Sequence, residues 1–335
     1  MSDGRAFTSR RAALTAIGAA GLASFVAACA KAPAAASLSD LTLRIAVFKG
    51  GPHTFMAAAG VAQTPYKVSY AEFGAGNLIT EAIDAGAIDL GSMSEIPPIF
   101  VAASHPAIRQ IAVQKGNVND QVVLVPKGSP ITSPAQLKGK KVGYVRATTS
   151  HYLLIKLLAE QGLSFADITP VALSPQDGRA AFEHGSLDAW VAYGVQAGAV
   201  RGTVGAHVLA TGLGRLSGNY LFAAGAPAMK DPVRRAAIAD YLGRVQQTWR
   251  WTDAHPDQWA SLASNATGVP AALYAQVRAE RSAPTTLAPV DAAAIASQQA
   301  VADGFAKAGV IPGHIDVSPL WDTGLNPEVT KLAAS

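Results

Sequence analysis

Cysteine is nearly missing from this chain of 335 residues: the single one is Cys29, too close to the N-terminus to belong to a packed body. A disulfide framework and a cysteine-based metal centre within one chain are thereby excluded. Charge is also scarce, at 15% of residues, yet half the residues are hydrophobic, which argues for a folded chain and against compositional disorder. The formal net charge is +4, about half of it from the first 28 residues, and no basic stripe with interleaved aromatics occurs. That balance gives no nucleic-acid footprint. Phosphate-binding P-loop, GxGxxG, GxSxG and HExxH patterns are all missing. The seven histidines are scattered, so no metal ligand set and no cofactor is expected.

What is present begins with an address. Arg10-Arg11 follow Thr8-Ser9 and precede an apolar stretch, residues 12–28, which ends in Val26-Ala27-Ala28-Cys29. This resembles a bacterial lipoprotein signal over residues 1–29, with Cys29 as the lipidated first residue of the mature chain and a twin-arginine pair. An Ala/Pro/Ser tether over 30–40 follows. No later run approaches the roughly 20 apolar residues that span a bilayer. The expected location is the periplasm or the extracytoplasmic face of the cell membrane, with a lipid anchor at Cys29.

From residue 41 onward, short β-branched or alternating runs alternate with helical patterns. Strands are expected at 41–48, 66–73, 87–91, 108–113, 121–126, 141–145, 168–173, 188–193, 205–211 and 218–222. Helices are expected between them and through most of the chain after residue 231. Such alternation argues for an α/β architecture with parallel sheets. A middle unit, 123–222, is enclosed by an outer one, 41–122 and 223–335, which gives two crossovers.

Ligands of open α/β sheets sit beyond the carboxyl ends of strands. Four strand-to-helix loops qualify: 49–53, 74–77, 92–95 and 146–151. The last is the richest in chemistry, with Arg146, Thr148, Thr149, Ser150 and His151 between a strand and a helix. A helix start leaves backbone N–H groups without partners, and hydroxyls and a guanidinium add donors, which together suit an anion. Read alone, the stretch is better explained by a capped helix, since most hydroxyls at helix starts do nothing else.

Several segments carry a family resemblance: Gly86-Ala-Ile-Asp-Leu-Gly-Ser92, Glu95-Ile-Pro-Pro-Ile-Phe100, Ser150-His151, Ser174-Pro-Gln-Asp-Gly-Arg-Ala-Ala-Phe182, Gly185-Ser-Leu-Asp-Ala-Trp190 and Pro284-Thr-Thr-Leu287. In this order they resemble periplasmic substrate-binding proteins of ABC importers for aliphatic sulfonates, within the nitrate/sulfonate/taurine group. The resemblance implies a type II periplasmic-binding fold, two α/β lobes closing on a small organic anion. Permease and ATPase subunits are the implied partners and a monomer is the expected state. It implies Thr149, Ser150 and His151 as anion contacts, facing Ser94 and Glu95. With the loop residues and the pocket wall, the candidate ligand contacts are Lys49, His53, Gly76, Ser94, Glu95, Arg146, Thr148, Thr149, Ser150, His151, Tyr193 and Asn219. Two departures stand out: Arg146-Ala147 where the family often has Lys-Gly, and Val191-Ala-Tyr-Gly-Val-Gln196 where an aromatic-Asp-Pro-aromatic run is usual. The alternative is an enzyme on the same scaffold, desulfinase-like or pyrimidine-synthase-like. A desulfinase needs a thiol in the cleft, and no cysteine follows position 29.

Overall fold

The first β-run forms strand β1, Thr42–Val47, with Leu43, Ile45 and Val47 buried on one face. The computed structural model describes residues 37–104 and 106–334. The signal expected over 1–29, with Cys29, and residues 30–36 of the tether fall outside the described residues.

Strands β2 (Lys67–Glu72), β3 (Leu90–Ser94) and β4 (Ile108–Lys115) follow, with helix α1 (Gly76–Asp84) before β3 and α2 (Pro97–Ala102) after it. The chain then crosses to a second sheet: β5 (Val122–Val125), β6 (Lys141–Tyr144), α3 (Thr149–Glu160), β7 (Thr169–Ala172), α4 (Pro175–Glu183), β8 (Ala189–Ala192), α5 (Gly194–Thr203) and β9 (His207–Thr211). It returns through β10 (Asn219–Gly225) and continues as α6 (Ala226–Lys230), α7 (Pro232–Ala254), α8 (Pro256–Thr267), α9 (Ala271–Ala279), β11 (Thr286–Ala288), α10 (Ala292–Lys307) and α11 (Asn326–Ala334). The first sheet has the order β11-β4-β10-β3-β1-β2 and the second β7-β6-β8-β5-β9.

Both sheets are mixed, where parallel ones were expected. β1 pairs parallel with β2 and β3, but β10 runs antiparallel to β3 and β4. In the second sheet β6 is parallel to β7 and β8, while β5 is antiparallel to β8 and β9. The reason is geometric. β5 and β10 each begin at a crossing, so each leaves the hinge, whereas β3, β4 and β8 run toward it. Asn219–Phe222 pair in the first sheet, not in the second unit as expected. The two crossings, 116–121 and 212–218, are tied together by Gly116 N–H to Gly218 O (3.0 Å) and Gly212 N–H to Gln121 O (2.8 Å).

Strand alternation sets the layers. On β10, Leu221 packs with Ile79, Ile99 and Phe305 on one face, and Phe222 with Leu43, Ile238 and Leu242 on the other. On β5, Val123 joins Leu153, Leu154 and Leu157 of α3, while Leu124 joins Phe182, Trp190 and Val200. Each sheet is therefore covered on both faces, so its strand ends are what remain for function. β11 was not expected. It is only three residues long.

Candidate functional site

A cleft of about 490 Å³ lies where the carboxyl ends of β1, β2, β3, β6 and β8 meet. Lobe one contributes Phe48, Lys49, Glu72, Phe73, Gly74, Gly76, Met93, Ser94, Tyr220 and Trp249. Lobe two contributes Thr148, Thr149, Pro175, Gln176, Tyr193, Gly194, Val195 and Gln196, and the first crossing adds Asn117, Asp120 and Gln121.

Three helices of at least two turns begin in this lining: α1 after Ala75, α3 after Thr148 and α5 after Tyr193. None of the three has a side-chain cap. By contrast α4, which reaches the same cleft with Pro175 and Gln176, is capped by Ser174 Oγ, which accepts from Asp177 N–H at 3.1 Å. Uncapped helix starts present unpaired N–H groups and the positive end of the helix dipole. Two buried polar atoms of the wall also await partners, Tyr193 Oη and Gln196 Oε1. The Thr148 hydroxyl nears the Tyr193 hydroxyl but is committed to Val145 O at 2.8 Å. Burial pushes the tyrosine's pKa up to about 12, so it stays a neutral donor.

The loop between β6 and α3 is built by its own side chains. Ser150 Oγ accepts from Val145 N–H (3.1 Å) and donates to Val191 O (2.6 Å). His151 Nδ1 accepts from Ala147 N–H at 3.4 Å. Its ring packs among Tyr144, Phe165, Phe305 and Phe100, with centroids 4.8 to 6.4 Å away. Burial, helped by the charge of Arg146, pulls the imidazole down to about 4, so it is neutral and its Nδ1 lone pair is available. These bonds hold Ala147 at φ 58°, the sole non-glycine residue in left-handed conformation among the described residues. A side chain there costs of order 1–2 kcal/mol, which the surrounding bonds offset. A glycine at 147 would meet this backbone demand without strain, so the Arg146-Ala147 pair bears on the turn.

Of the expected contacts, Lys49, Gly76, Ser94, Thr148, Thr149 and Tyr193 come together in the lining. Gly76 is required there by space: a Cβ would stand 3.0 Å from Met93 Cβ and 3.1 Å from Pro97 Cγ. The others lie elsewhere. Ser150 and His151 are spent on the turn, because helix α3 starts at Thr149 and its second and third residues point into the core. Arg146 is exposed and outside the lining. His53 packs at a tilt against Tyr70, centroids 5.1 Å apart, outside the lining. Glu95 is buried and locks the hinge: Oε1 accepts from Ser217 (2.5 Å) and Oε2 from Ser297 (2.9 Å). Desolvation raises its pKa. Asn219 accepts from Lys115 Nζ at 2.5 Å and, with Glu95, lines a small adjoining cavity of about 20 Å³ that shares Ser94, Thr149 and Tyr220 with the cleft. The sequence reading missed Asp120, Gln121, Gln176, Gln196 and Trp249; the first crossing carries no motif that announces Asp120 and Gln121, and the other three sit on helices. No group of three or more His, Cys, Asp or Glu able to hold a metal occurs among the described residues.

A family profile described as NMT1/THI5 like matches residues 66–258, more than half of the chain. The chain belongs to the NMT1/THI5-like family. Within reach of this NMT1/THI5-like chain is the aliphatic sulfonates-binding protein of Escherichia coli K12, 36% identical over 252 residues, 75% of this chain and 78% of the relative. The crystal structure of the periplasmic aliphatic sulphonate binding protein from Escherichia coli superposes with a TM-score of 0.73 at 32% identity, covering 84% of this chain and 92% of that one. The alkanesulfonate-binding protein of Xanthomonas axonopodis pv. citri, bound to MOPS, gives 0.77 at 28% identity, covering 86% and 99%. The fold of this NMT1/THI5-like chain is thus the two-lobed α/β fold of periplasmic binding proteins.

Proposed function

We infer that the protein is the extracytoplasmic solute-binding component of an ABC importer and binds an aliphatic sulfonate in its cleft. The observation that carries this reading is the convergence of three uncapped helix starts on one cleft, in a chain 36% identical to an aliphatic sulfonates-binding protein. A sulfonate has acceptor oxygens and no proton to give, which matches backbone N–H groups, the Tyr193 hydroxyl and helix dipoles. The alkyl chain then lies against Phe48, Phe73, Met93 and Trp249.

Binding closes the lobes. Gly74 of lobe one already meets the amide of Gln176 of lobe two across the cleft mouth, a Cβ on Gly74 standing 3.2 Å from Nε2. A ligand that touches both walls binds the closed form better than the open one and shifts the population toward it. Release then requires a partner that favours the open form, the role of a permease with its ATPase. The protein acts as a carrier and breaks no bond: no cysteine, the nucleophile of a desulfinase-like reaction, follows Cys29. The signal-like segment and Cys29 support a lipid anchor that keeps a monomeric carrier at the membrane surface; an intact mass for the mature chain carrying a diacylglyceryl group would establish it.

The reading is tested by calorimetric titration with ethane-, butane- and hexanesulfonate, taurine and nitrate. Saturable heat at equimolar stoichiometry with one or more of the sulfonates is expected. No heat with any of them overturns it.

A further inference from the structure

A sulfonate accepts hydrogen bonds and donates none, yet the cleft holds acceptors that a sulfonate leaves unserved. Gln196, in the first turn of α5, has its Oε1 buried with no donor beside it. Gln114 near the end of β4 and Gln176 at the start of α4 also line the cleft, and neither side chain is bonded to another group of the described residues. Asn117 spends its Oδ1 on the N–H groups of Asn119 and Ser282, both at 2.9 Å, which leaves its amide nitrogen as a donor. Four amides, drawn from both lobes and the first crossing, thus line one cleft with donors and acceptors to fill.

The surroundings say what would fill them. An alkyl chain in a closed cleft strips water from these amides and returns nothing, and each buried polar group left unpaired weakens binding. An ammonium offers donors only, whereas a hydroxyl donates and accepts at once and so serves both ends of an amide. Trp249 adds a flat apolar surface shared by the cleft and a pouch of about 220 Å³ that continues from it. The C–H face of a saturated ring fits such a surface while the ring's hydroxyls reach sideways to the amides. The pouch itself is walled in part by Arg278 and Arg281, both bonded to Asp253 Oδ1 at 2.8 Å, so an alkyl chain running past Trp249 would meet charged groups. Asp120, half-buried and shared by cleft and pouch, is one more acceptor for a hydroxyl.

We propose that the ligand is a sulfonated sugar, its anionic head at the starts of α1, α3 and α5, its ring on Trp249 and its hydroxyls on the glutamine and asparagine amides. This deepens the sulfonate reading and rests on it. Gln196, one residue after Val195 on α5, takes the hydroxyl nearest the head.

The test titrates the mature protein calorimetrically with sulfoquinovose (glucose whose primary hydroxyl is replaced by a sulfonate), with hexanesulfonate, which has the same number of carbons, and with glucose. Sulfoquinovose is expected to bind at least roughly tenfold tighter than hexanesulfonate, the span of one or two hydrogen bonds that would otherwise go unmade, and glucose to give no heat. Gln196→Met, checked for an unchanged melting curve, should cut that advantage roughly tenfold. Hexanesulfonate binding as tightly as sulfoquinovose, or a Gln196→Met loss equal for both, overturns the proposal while sparing the sulfonate reading. Glucose binding as tightly as sulfoquinovose, or heat from no sulfonate at all, overturns the sulfonate reading with it. Should Gln196→Met fail to fold, the comparison of the three ligands on the native protein still decides.

Discussion

The two lobes meet at one cleft with different chemistry. Lobe two offers no charged side chain there: its wall is the starts of α3 and α5, the Thr148 and Thr149 hydroxyls, Tyr193 and two glutamine amides. Lobe one brings Lys49 and Glu72, the start of α1 and the aromatic surface of Phe48, Phe73 and Trp249, with Asp120 on the crossing beside it. Neutral dipoles hold an anion without the desolvation cost of burying a cation, and they impose geometry. The lesson is a difference in kind: lobe two presents neutral dipoles suited to an anionic head group, and lobe one an apolar and charged wall.

The same contrast recurs within one turn of α3, where Thr149 lines the cleft while Ser150 and His151 face the core. The sharpest way to break it is His151→Ala, which empties a buried aromatic site and removes the acceptor for Ala147 N–H. It should lower unfolding stability by about 3 kcal/mol, read by urea titration. Acid acts on the same group. Its pKa is lowered on folding from 6.5 to about 4, so below 6.5 the unfolded chain binds a proton that the native chain refuses. Stability from this group is therefore complete above pH 6.5 and falls as pH drops toward 4, by on the order of 3 kcal/mol. In His151→Phe that fall should vanish from a melting series.

Thr149→Pro probes the other face. Proline is tolerated at a first helical position but carries no N–H. It should weaken sulfonate binding roughly tenfold to a hundredfold with little loss of stability, and Thr149→Val, which keeps the N–H, should lose far less. Ala147→Gly relieves the left-handed residue and should raise stability by roughly 0.5–1 kcal/mol in thermal unfolding, with affinity unchanged. Smallest of all, Arg146→Ala should leave affinity within error, since that side chain is exposed outside the lining.

Much of the fold was legible in the sequence because its strands are bounded by glycine and proline and its helices by clear stripes. The alternation at Leu221 and Phe222 and the α3 leucines point where the sequence says they should. What could not be read was direction and facing. Nothing local tells β5 or β10 that it leaves a hinge, and a hydroxyl at a helix start can cap, brace or bind. Ser150 braces a neighbouring strand through Val191 O, a partner 41 residues away. Asp120 escaped notice for the opposite reason: it stands in a loop without a motif, and only the folded crossing brings it to the cleft.

The most direct test of the account is a crystal structure of the mature protein with ethanesulfonate. The account predicts the sulfonate oxygens within hydrogen-bond distance of the Thr149 and Val195 N–H groups, the ethyl group toward Trp249 and Met93. A sulfonate held by Lys49, with its tail against Tyr193 and Gln196, would contradict it.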